Sequence, residues 1–408
     1  MYIIRKYLIF FIALILNSFV IIKIKKSIVL SDVIFNEESF TNKFSQVKIY
    51  VPLLNDSNFF RNNIKRENYT ILKKINEKLF KPYKKLVNIH NYSYILNPEY
   101  KICGENNGSD VLLMTFVPIS VGRFSNRNLI RRTWANTELN RNMRVVFLIG
   151  KSSSEKLNTL IKLEYSIYGD IVQEDFLDDY RNLTYKGIMA MKWISEYCPN
   201  VKHILKVDDD IIANIFILLR HLKWLDNYNL FSSKTIMCLV WSKMDVIRDK
   251  DNKWYVSKEE FKNDYYEDYC SGSAYLLTND LPSLMFNASF YTEFFWVDDY
   301  YMTGRLALSV NATHKNFNSI FILNVPPSVI VKKFTDKLTS DYTVFGHLPN
   351  ELNMIYSLWN FIVEKQLSRY PNLFISNEKN VFLVEKNDFS YLRLFEWKKN
   401  FSEKYIVI

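Results

Sequence analysis

Three consecutive carboxylates carry the clearest chemical signal in this chain. Asp208, Asp209 and Asp210 follow a predicted buried strand at residues 201–207. Ligands of α/β sheets bind outside the carboxyl ends of the strands, which is where this triplet falls. Because side chains alternate along an extended chain, Asp208 and Asp210 point the same way and can share one ion. Hard oxygen ligands suit Mg²⁺ or Mn²⁺ bridging a diphosphate, and the alternative is an acidic surface turn.

Two arginines provide a second candidate binding group. Arg127 and Arg131 are four residues apart near the start of a helix for which Ser125 is a reasonable N-cap. They therefore share one helix face, close to the positive end of the helix dipole. That arrangement suits a nucleotide phosphate. The alternative is a pair of surface arginines that bind acids such as Glu138.

The hydrophobic pattern predicts the elements that must position these side chains. Apolar runs predict buried strands at 111–119, 143–149 and 201–207. Helices are predicted near Ser125, after a loop at 151–154 and through Tyr165, and over about 180–197. This alternation predicts a mostly parallel sheet with helices on both faces. Further strands are predicted at 235–241 and 253–257, in a part that looks mixed rather than parallel.

Composition excludes several classes of ligand-binding protein. The 408 residues are 48% hydrophobic and 24% charged, which is ordinary for a globular protein. Only nine are glycine, and no two of these form a G-x-G pattern. The dinucleotide fingerprint, the P-loop and the kinase phosphate loop are therefore absent. The net charge of +10 suits an anionic ligand, an anionic membrane surface or nucleic acid, without choosing among them.

The N-terminus has the pattern of a retained membrane anchor. An apolar run at 7–22 follows Arg5 and Lys6 and is itself followed by three lysines, with no small-residue cleavage site behind it. Eight N-x-S/T sequons and an even number of cysteines favour the secretory route. The four cysteines permit three pairings, and the sequence does not select one.

Several motifs occur in the order found in one enzyme family. They lie at 127–134, 178–186, 197–199, 206–210, 253–257, 268–272 and 298–304, followed by His347. On these motifs, residues 110–362 resemble the β1,3-galactosyltransferase family, which includes β1,3-N-acetylglucosaminyltransferases and is related to the fringe enzymes. The resemblance implies transfer of galactose or N-acetylglucosamine from a UDP-sugar to the 3-hydroxyl of an acceptor sugar, with Mn²⁺ as cofactor and inversion at the anomeric carbon.

The resemblance also implies an architecture. We expect a GT-A-like α/β fold with a mostly parallel, mixed sheet flanked by helices and preceded by an N-terminal transmembrane helix. The expected divisions are a cytoplasmic tail at 1–6, a signal anchor at 7–26, a stem at 27–105, the transferase domain at 106–365 and an extension at 366–408. The expected location is the Golgi membrane, single-pass type II, with the catalytic domain in the lumen.

Family positions suggest roles for individual residues. Asp208 and Asp210 are the expected metal ligands, with His347 as a third ligand or a structural histidine. Asp209 is expected to orient the ribose or the donor sugar. Asp299 is the expected catalytic base and Asp298 its neighbour, in place of the family's usual glutamate. The alternative is that both aspartates only cap a helix.

The remaining predicted donor contact is Lys186, for which a solvated helical lysine is the alternative. Trp134 is expected in the core. The expected partners are a UDP-sugar and a glycan acceptor on a glycoprotein or glycolipid, with the membrane and without nucleic acid. A membrane-anchored glycan-binding relative without activity is the main competing function, ahead of a basic nucleic-acid binder and a metal-dependent nuclease.

Overall fold

The computed structural model describes residues 86–317, 320–323 and 325–369. The predicted tail, anchor and first part of the stem, residues 1–85, lie outside this range, as do residues 370–408. Within the described residues, no helix combines the length and the apolar character needed to cross a membrane.

An eight-stranded mixed sheet forms the centre of the fold, in the order β1-β4-β3-β2-β5-β8-β7-β9. Strands β4, β3, β2 and β5 are parallel, whereas β8 is antiparallel to both β5 and β7. The strands are β1 (Tyr94–Leu96), β2 (Leu113–Pro118), β3 (Met143–Lys151), β4 (Ile171–Leu177), β5 (His203–Val207), β7 (Thr235–Trp241), β8 (Tyr269–Thr278) and β9 (Thr313–Asn316). The predicted mixed α/β sheet is therefore confirmed.

A second, three-stranded sheet lies beyond the end of β5. Its strands are β6 (Ile211–Ala213), β10 (Phe321–Ile322) and β11 (Phe345–His347), in the order β10-β11-β6. Strand β6 starts one residue after the acidic triplet and runs antiparallel to β11. This pairing places the end of β11, with His347, beside the triplet.

Helices cover both faces of the large sheet. They are α1 (Tyr100–Cys103), α2 (Phe124–Arg132), α3 (Glu155–Tyr168), α4 (Leu183–Tyr197), α5 (Ile215–Asn227), α6 (Leu281–Ser289), α7 (Asp298–Tyr300, continuing as a π-helical stretch Tyr301–Leu306 and a last turn Ala307–Ser309), α8 (Pro327–Thr335) and α9 (Leu352–Arg369). Alternate residues of β2 enter opposite cores: Met114 and Phe116 pack in one, Leu113 and Val117 in the other.

Two local predictions were wrong. Helix α2 begins at Phe124, so Ser125 lies inside its first turn and caps nothing. Residues 253–257 form a turn and coil rather than a strand. The cause is Arg248, whose guanidinium donates to the carbonyls of Val256 and Ser257 and to two further carbonyls, so that the segment wraps around this side chain.

The folded part of the chain starts earlier than the predicted boundary at 106. Strand β1 pairs antiparallel with β4, and Cys103 of α1 forms a disulfide with Cys198 at the end of α4. The second disulfide joins Cys238 and Cys270 on the neighbouring strands β7 and β8. The last part of the predicted stem thus contributes a strand to the sheet and is linked covalently to the end of α4.

Removal of the Cys103–Cys198 bridge tests this attachment. Because the bridge closes a loop of 95 residues, the double substitution Cys103→Ser and Cys198→Ser is expected to lower the free energy of unfolding by roughly 2–5 kcal/mol. The measurement is urea unfolding followed by circular dichroism. An unchanged midpoint would show that the N-terminal segment contributes nothing to the stability of the domain.

Candidate active site

The acidic triplet lies in the short connection between β5 and β6. At the end of β5 the backbone N–H of Asp208 donates to Ser273 O of β8 at 2.9 Å. On the other side, Leu348 N donates to Asp210 O at 2.9 Å. The triplet is therefore held between the two sheets by backbone hydrogen bonds at both ends.

Asp210 and His347 form the first contact of the site. The antiparallel pairing of β6 with β11 places His347 opposite Ile211, and its Nε2 lies 3.3 Å from Asp210 Oδ2. Burial opposes ionisation of Asp210, but the hydrogen bond and charge of His347, with smaller effects from Arg123 and Lys206, lower its pKa. The same hydrogen bond raises the pKa of His347. Both side chains remain partly exposed.

Asp208 is paired with Lys206 of β5, two residues earlier in the chain. Lys206 is buried, and its Nζ donates to Asp208 Oδ1 and to the carbonyl of Gly272 on β8. Burial lowers the pKa of this ammonium, but the surrounding carboxylates outweigh burial and raise it, so Lys206 is charged. Burial, reinforced by repulsion from Asp210, raises the pKa of Asp208 to about 7 despite Lys206.

Asp209 points to a different partner. Arg123, just before α2, donates to Asp209 Oδ1 at 3.0 Å, and Asn126 donates to the Asp209 carbonyl at 3.3 Å. The other carboxylate oxygen, Oδ2, is buried and has no hydrogen-bond partner. Burial raises the pKa of Asp209 to about 6. Each carboxylate of the triplet thus has one basic partner, and Asp209 keeps one buried oxygen without a hydrogen bond.

The second acid pair lies beside the same strand β8. A Cβ added at Gly272 would be 3.1 Å from Asp299 Cβ, so Gly272 leaves the space that Asp299 occupies. Gly272 O also accepts from Lys206, which pairs with Asp208. Gly272 is therefore next to Asp299 and is linked through Lys206 to the triplet. The structure therefore brings together the two acid groups that the sequence predicted as metal site and base.

The surroundings of Asp299 act on its pKa in opposite directions. Its Oδ1 accepts from the backbone N–H of Tyr300 at 2.8 Å, a helix-start contact that favours the ionised form. Burial and the charge of Asp298 outweigh it and raise the pKa of Asp299 to about 7. Burial likewise raises the pKa of Asp298.

The π-helical stretch of α7 fixes the backbone at Asp299. Thr303 is buried and donates through Oγ1 to Asp299 O at 2.6 Å, while accepting from Cys270 N at 2.9 Å. The carbonyl of Thr303 lies 2.7 Å from His314 Nε2. Thr303 thus connects Asp299 to the disulfide-bonded strand β8.

The arginines of α2 are used inside the protein. Arg127 is 0% exposed; it donates to both oxygens of Glu164 and to the carbonyls of Ser120 and Val121. Arg131 binds Asp170 through two nitrogens and also reaches Glu164. These contacts match the ion-pair alternative, but the acids lie on α3 and at the start of β4 and do not include the predicted Glu138.

Lys186 is also buried, so the solvated-lysine alternative is wrong. Its Nζ donates to Ile119 O at 2.8 Å and lies 3.0 Å from Asp178 Oδ2, and Asp178 in turn accepts from Gly150 N. Burial lowers the pKa of Lys186. Trp134 is fully buried, as predicted, and donates to Ile211 O next to the triplet.

Asp208, Asp210 and His347 are the candidate ligands for a divalent cation. No three His, Cys, Asp or Glu side chains among the described residues converge into a ready-made metal cluster. A carboxylate and an imidazole do meet at Asp210 and His347, both accessible, with Asp208 beside them. The buried Oδ2 of Asp209 has no hydrogen-bond partner within the protein and is available as an acceptor. These residues fit a hard divalent ion.

The sequence analysis did not identify two residues of the site, Lys206 and Arg123. Lys206 lies two residues before Asp208, but a lysine in a buried strand gives no sign of which carboxylates it will meet. Arg123 lies four residues before Arg127 and outside the motif at 127–134, yet it is Arg123 that reaches the triplet. The signal available in the sequence was the position of Arg123 just before α2, whereas Arg127 and Arg131 lie within the helix.

Comparison with known proteins agrees with this site. Residues 125–318 match the family model described as galactosyltransferase. This segment contains the triplet, Gly272 and the Asp298–Asp299 pair, whereas His347 lies beyond it.

Individual relatives carry related names. The chain is 32% identical over 220 residues to human lactosylceramide 1,3-N-acetyl-beta-D-glucosaminyltransferase, covering 52% of this chain and 57% of that protein. It is 29% identical over 223 residues to mouse beta-1,3-galactosyltransferase 1, covering 53% and 65%. The match therefore spans less than two thirds of either relative.

Solved structures give weaker matches. The galactosyltransferase LgtC in complex with donor and acceptor sugar analogs matches with a TM-score of 0.28 and 11% identity, over 63% of this chain and 99% of that chain. The bifunctional glycosyltransferase WbbM matches with a TM-score of 0.33 and 10% identity, over 63% and 52%. At these scores the likeness adds nothing to the description of the fold.

The role of Arg127 is testable through stability. Replacement by Met leaves Glu164 buried with one arginine fewer, so Arg127→Met is expected to lower the free energy of unfolding by about 3–5 kcal/mol. The exposed α3 residue Lys156 provides the control, and Lys156→Met is expected to change it by less than about 0.5 kcal/mol. Chemical unfolding measures both. A stable Arg127→Met variant with weakened donor binding would instead support the phosphate-binding role.

The raised pKa of Asp299 predicts a pH dependence of stability. The folded chain, with this pKa at about 7, holds the proton more tightly than the unfolded chain, where an aspartate titrates near about 4. The folded state therefore loses stability as the pH rises from about 4 to about 7. As the pH rises over this window, the melting temperature of Asp299→Asn should therefore increase relative to that of the unsubstituted protein. Both melting temperatures are measured without divalent cations. Parallel curves would contradict the assignment.

Proposed function

We propose that this chain is an inverting β1,3-glycosyltransferase with a GT-A-like catalytic domain. It transfers galactose or N-acetylglucosamine from a UDP-sugar to the 3-hydroxyl of an acceptor glycan on a glycoprotein or glycolipid. The observation that carries the proposal is the meeting of two acid groups across Gly272 within a galactosyltransferase-family segment. The triplet is suited to hold a cation that neutralises the leaving diphosphate. Asp299 is suited to accept the proton of the attacking hydroxyl.

Asp299 is the proposed base. Inversion requires removal of the acceptor proton on the face of the donor carbon opposite to the leaving group. A carboxylate with a pKa raised to about 7 holds a proton more strongly than an ordinary aspartate and is better matched to this task at neutral pH. Thr303 and Tyr300 N fix its backbone and carboxylate, which keeps the basic oxygen in one place.

The triplet is the proposed site for the leaving group. Asp210 and His347 would hold Mn²⁺, with Asp208 beside them, and the bound ion supplies Lewis-acid neutralisation of the diphosphate charge. Lys206 holds Asp208 against β8, and Arg123 holds Asp209. These two cations keep the carboxylates in place before the donor arrives.

The competing function was a glycan-binding relative without activity. Loss of catalysis in such a relative would remove the pressure to keep a costly group of partly desolvated carboxylates together. Here Asp208, Asp210 and Asp299 are all present, and the pKa values of Asp208 and Asp299 are raised to about 7. This favours an active enzyme.

The proposal includes a Golgi location. The predicted anchor at 7–26 and the sequons support a single-pass type II protein with its catalytic domain in the lumen. Two disulfides within the domain suit an oxidising compartment.

Two substitutions separate the proposed roles. Asp299→Asn removes the base and is expected to lower transfer by about 10²–10⁴-fold while Mn²⁺-dependent UDP binding persists. Asp210→Asn removes a ligand and is expected to abolish both. Transfer is measured as UDP release with a panel of UDP-sugars and methyl glycosides, and binding by calorimetry.

The exposed residue Glu105 offers a matched control. Glu105→Gln makes the same carboxylate-to-amide change away from the site and should keep full activity. Normal turnover in Asp299→Asn would remove Asp299 from the role of base. UDP binding by Asp210→Asn equal to that of the unsubstituted protein would remove the metal role.

A further inference from the structure

Two large aromatic side chains from distant parts of the chain meet at the protein surface. Tyr180 lies between β4 and α4, and Trp254 lies in the turn that replaces the predicted strand at 253–257. Trp254 Nε1 donates to Tyr180 OH at 3.0 Å. Tyr180 is 49% exposed and Trp254 46% exposed. The hydrogen bond fixes two partly bare rings relative to each other.

This pair lies next to Asp298 and Asp299. The ring of Tyr180 is 6.5 Å from that of Trp296, which precedes Asp298 by two residues. The start of α4 is fastened to the same segment, because Thr184 Oγ1 donates to Phe295 O at 2.7 Å. Beyond the effect of burial, the charges of Asp298, Asp299 and then Asp208 raise the pKa of Tyr180. The contact with Trp296 therefore places Tyr180 near Asp298 and Asp299.

Contacts of Arg248 and Lys253 hold the loop that carries Trp254 in place. Arg248 commits its guanidinium to four carbonyls of the surrounding loop. Lys253 lies over the Trp254 ring at 4.1 Å, and its charge also acts on His347. Trp254 is thus held by Tyr180 and Lys253 while 46% of it stays exposed.

We propose that Tyr180 and Trp254 form the carbohydrate subsite that receives the acceptor, with the apolar C–H face of a hexose ring packed on the two aromatic side chains. The inference rests on the proposed function and adds where its acceptor binds. Aromatic side chains with a polar edge combine a large apolar surface with a fixed orientation. Rings that are already held in place bind without a further ordering cost.

The occupant is the acceptor rather than the donor. An attacking hydroxyl must lie within hydrogen-bond reach of the base, Asp299. Tyr180 lies on the Asp298–Asp299 side of the cluster, whereas the Asp210–His347 contact lies on the strand β11 side. A sugar packed on Tyr180 therefore presents its hydroxyls toward Asp299.

The test compares acceptor and donor kinetics in three variants. Trp254→Ala is expected to raise the acceptor KM at least about tenfold, a loss of about 1.4 kcal/mol of binding. Tyr180→Phe keeps the ring but releases the Trp254 indole, and it is expected to raise the acceptor KM by a smaller factor. In both variants kcat at saturating acceptor and the UDP-sugar KM should stay near the unsubstituted values.

Trp224→Ala is the matched control. Trp224 is 47% exposed, as Trp254 is, but it lies on α5 and stacks on His221. Its replacement should leave every kinetic constant unchanged. Tyr180→Ala provides a second variant of the subsite in case the loop around Arg248 does not fold without Trp254.

Direct binding gives a readout that does not depend on turnover. Saturation-transfer NMR with the methyl glycoside that serves best as acceptor should show contact with its C–H protons, and this contact should disappear in Trp254→Ala. An unchanged acceptor KM in Trp254→Ala and Tyr180→Ala, or a rise in the donor KM alone, overturns the inference. Failure of the proposed function is seen separately, since the unsubstituted protein would then transfer no sugar.

Discussion

The site depends on one buried ammonium group among carboxylates. Lys206 contacts Asp208 and the carbonyl of Gly272, and its charge also acts on Asp298 and Asp299. Several carboxylates at one edge of a sheet repel one another unless a cation or a proton neutralises them. Lys206 supplies part of this neutralisation from within the fold. Burial nevertheless keeps the pKa values of Asp208 and Asp299 raised to about 7.

Strand direction explains why the two acid groups meet. The carboxyl end of β5 carries the triplet, and β8 runs antiparallel beside it, so the first residues of β8 lie at the same edge. Gly272 is among these residues, and its missing side chain admits Asp299. The parallel part of the sheet alone would leave Asp299 without a place next to the triplet. The antiparallel strand β8 is therefore as important for the site as the parallel strands are for the fold.

The basic residues of the shared motifs act largely as structure. Arg127, Arg131 and Lys186 each pair with an acid on another element, and Arg127 and Lys186 are almost fully buried. Breaking such a pair leaves a charge without a partner in a poorly polar environment, which is strongly destabilising. Residues of this kind hold the loops that carry Arg123 and the end of β2. Their presence in a motif reflects the need to fix these loops.

The sequence by itself determined the alternation of strands and helices, the position of the triplet at the end of β5 and the motifs that resemble the β1,3-galactosyltransferase family. These follow from hydrophobic periodicity and from local residue order, which a chain displays without folding. It did not determine the pairing of the cysteines, the start of α2 or the fate of residues 253–257.

Only the tertiary structure decided which charges meet. Arg127 and Arg131 have the spacing of an anion site, yet their partners Glu164 and Asp170 lie more than thirty residues away. The structure likewise joined Tyr180 to Trp254 across 74 residues and placed His347 beside Asp210 across 137. The reason is physical: the energy of a charge or an aromatic ring is set by its burial and its neighbours, and both are properties of the folded chain.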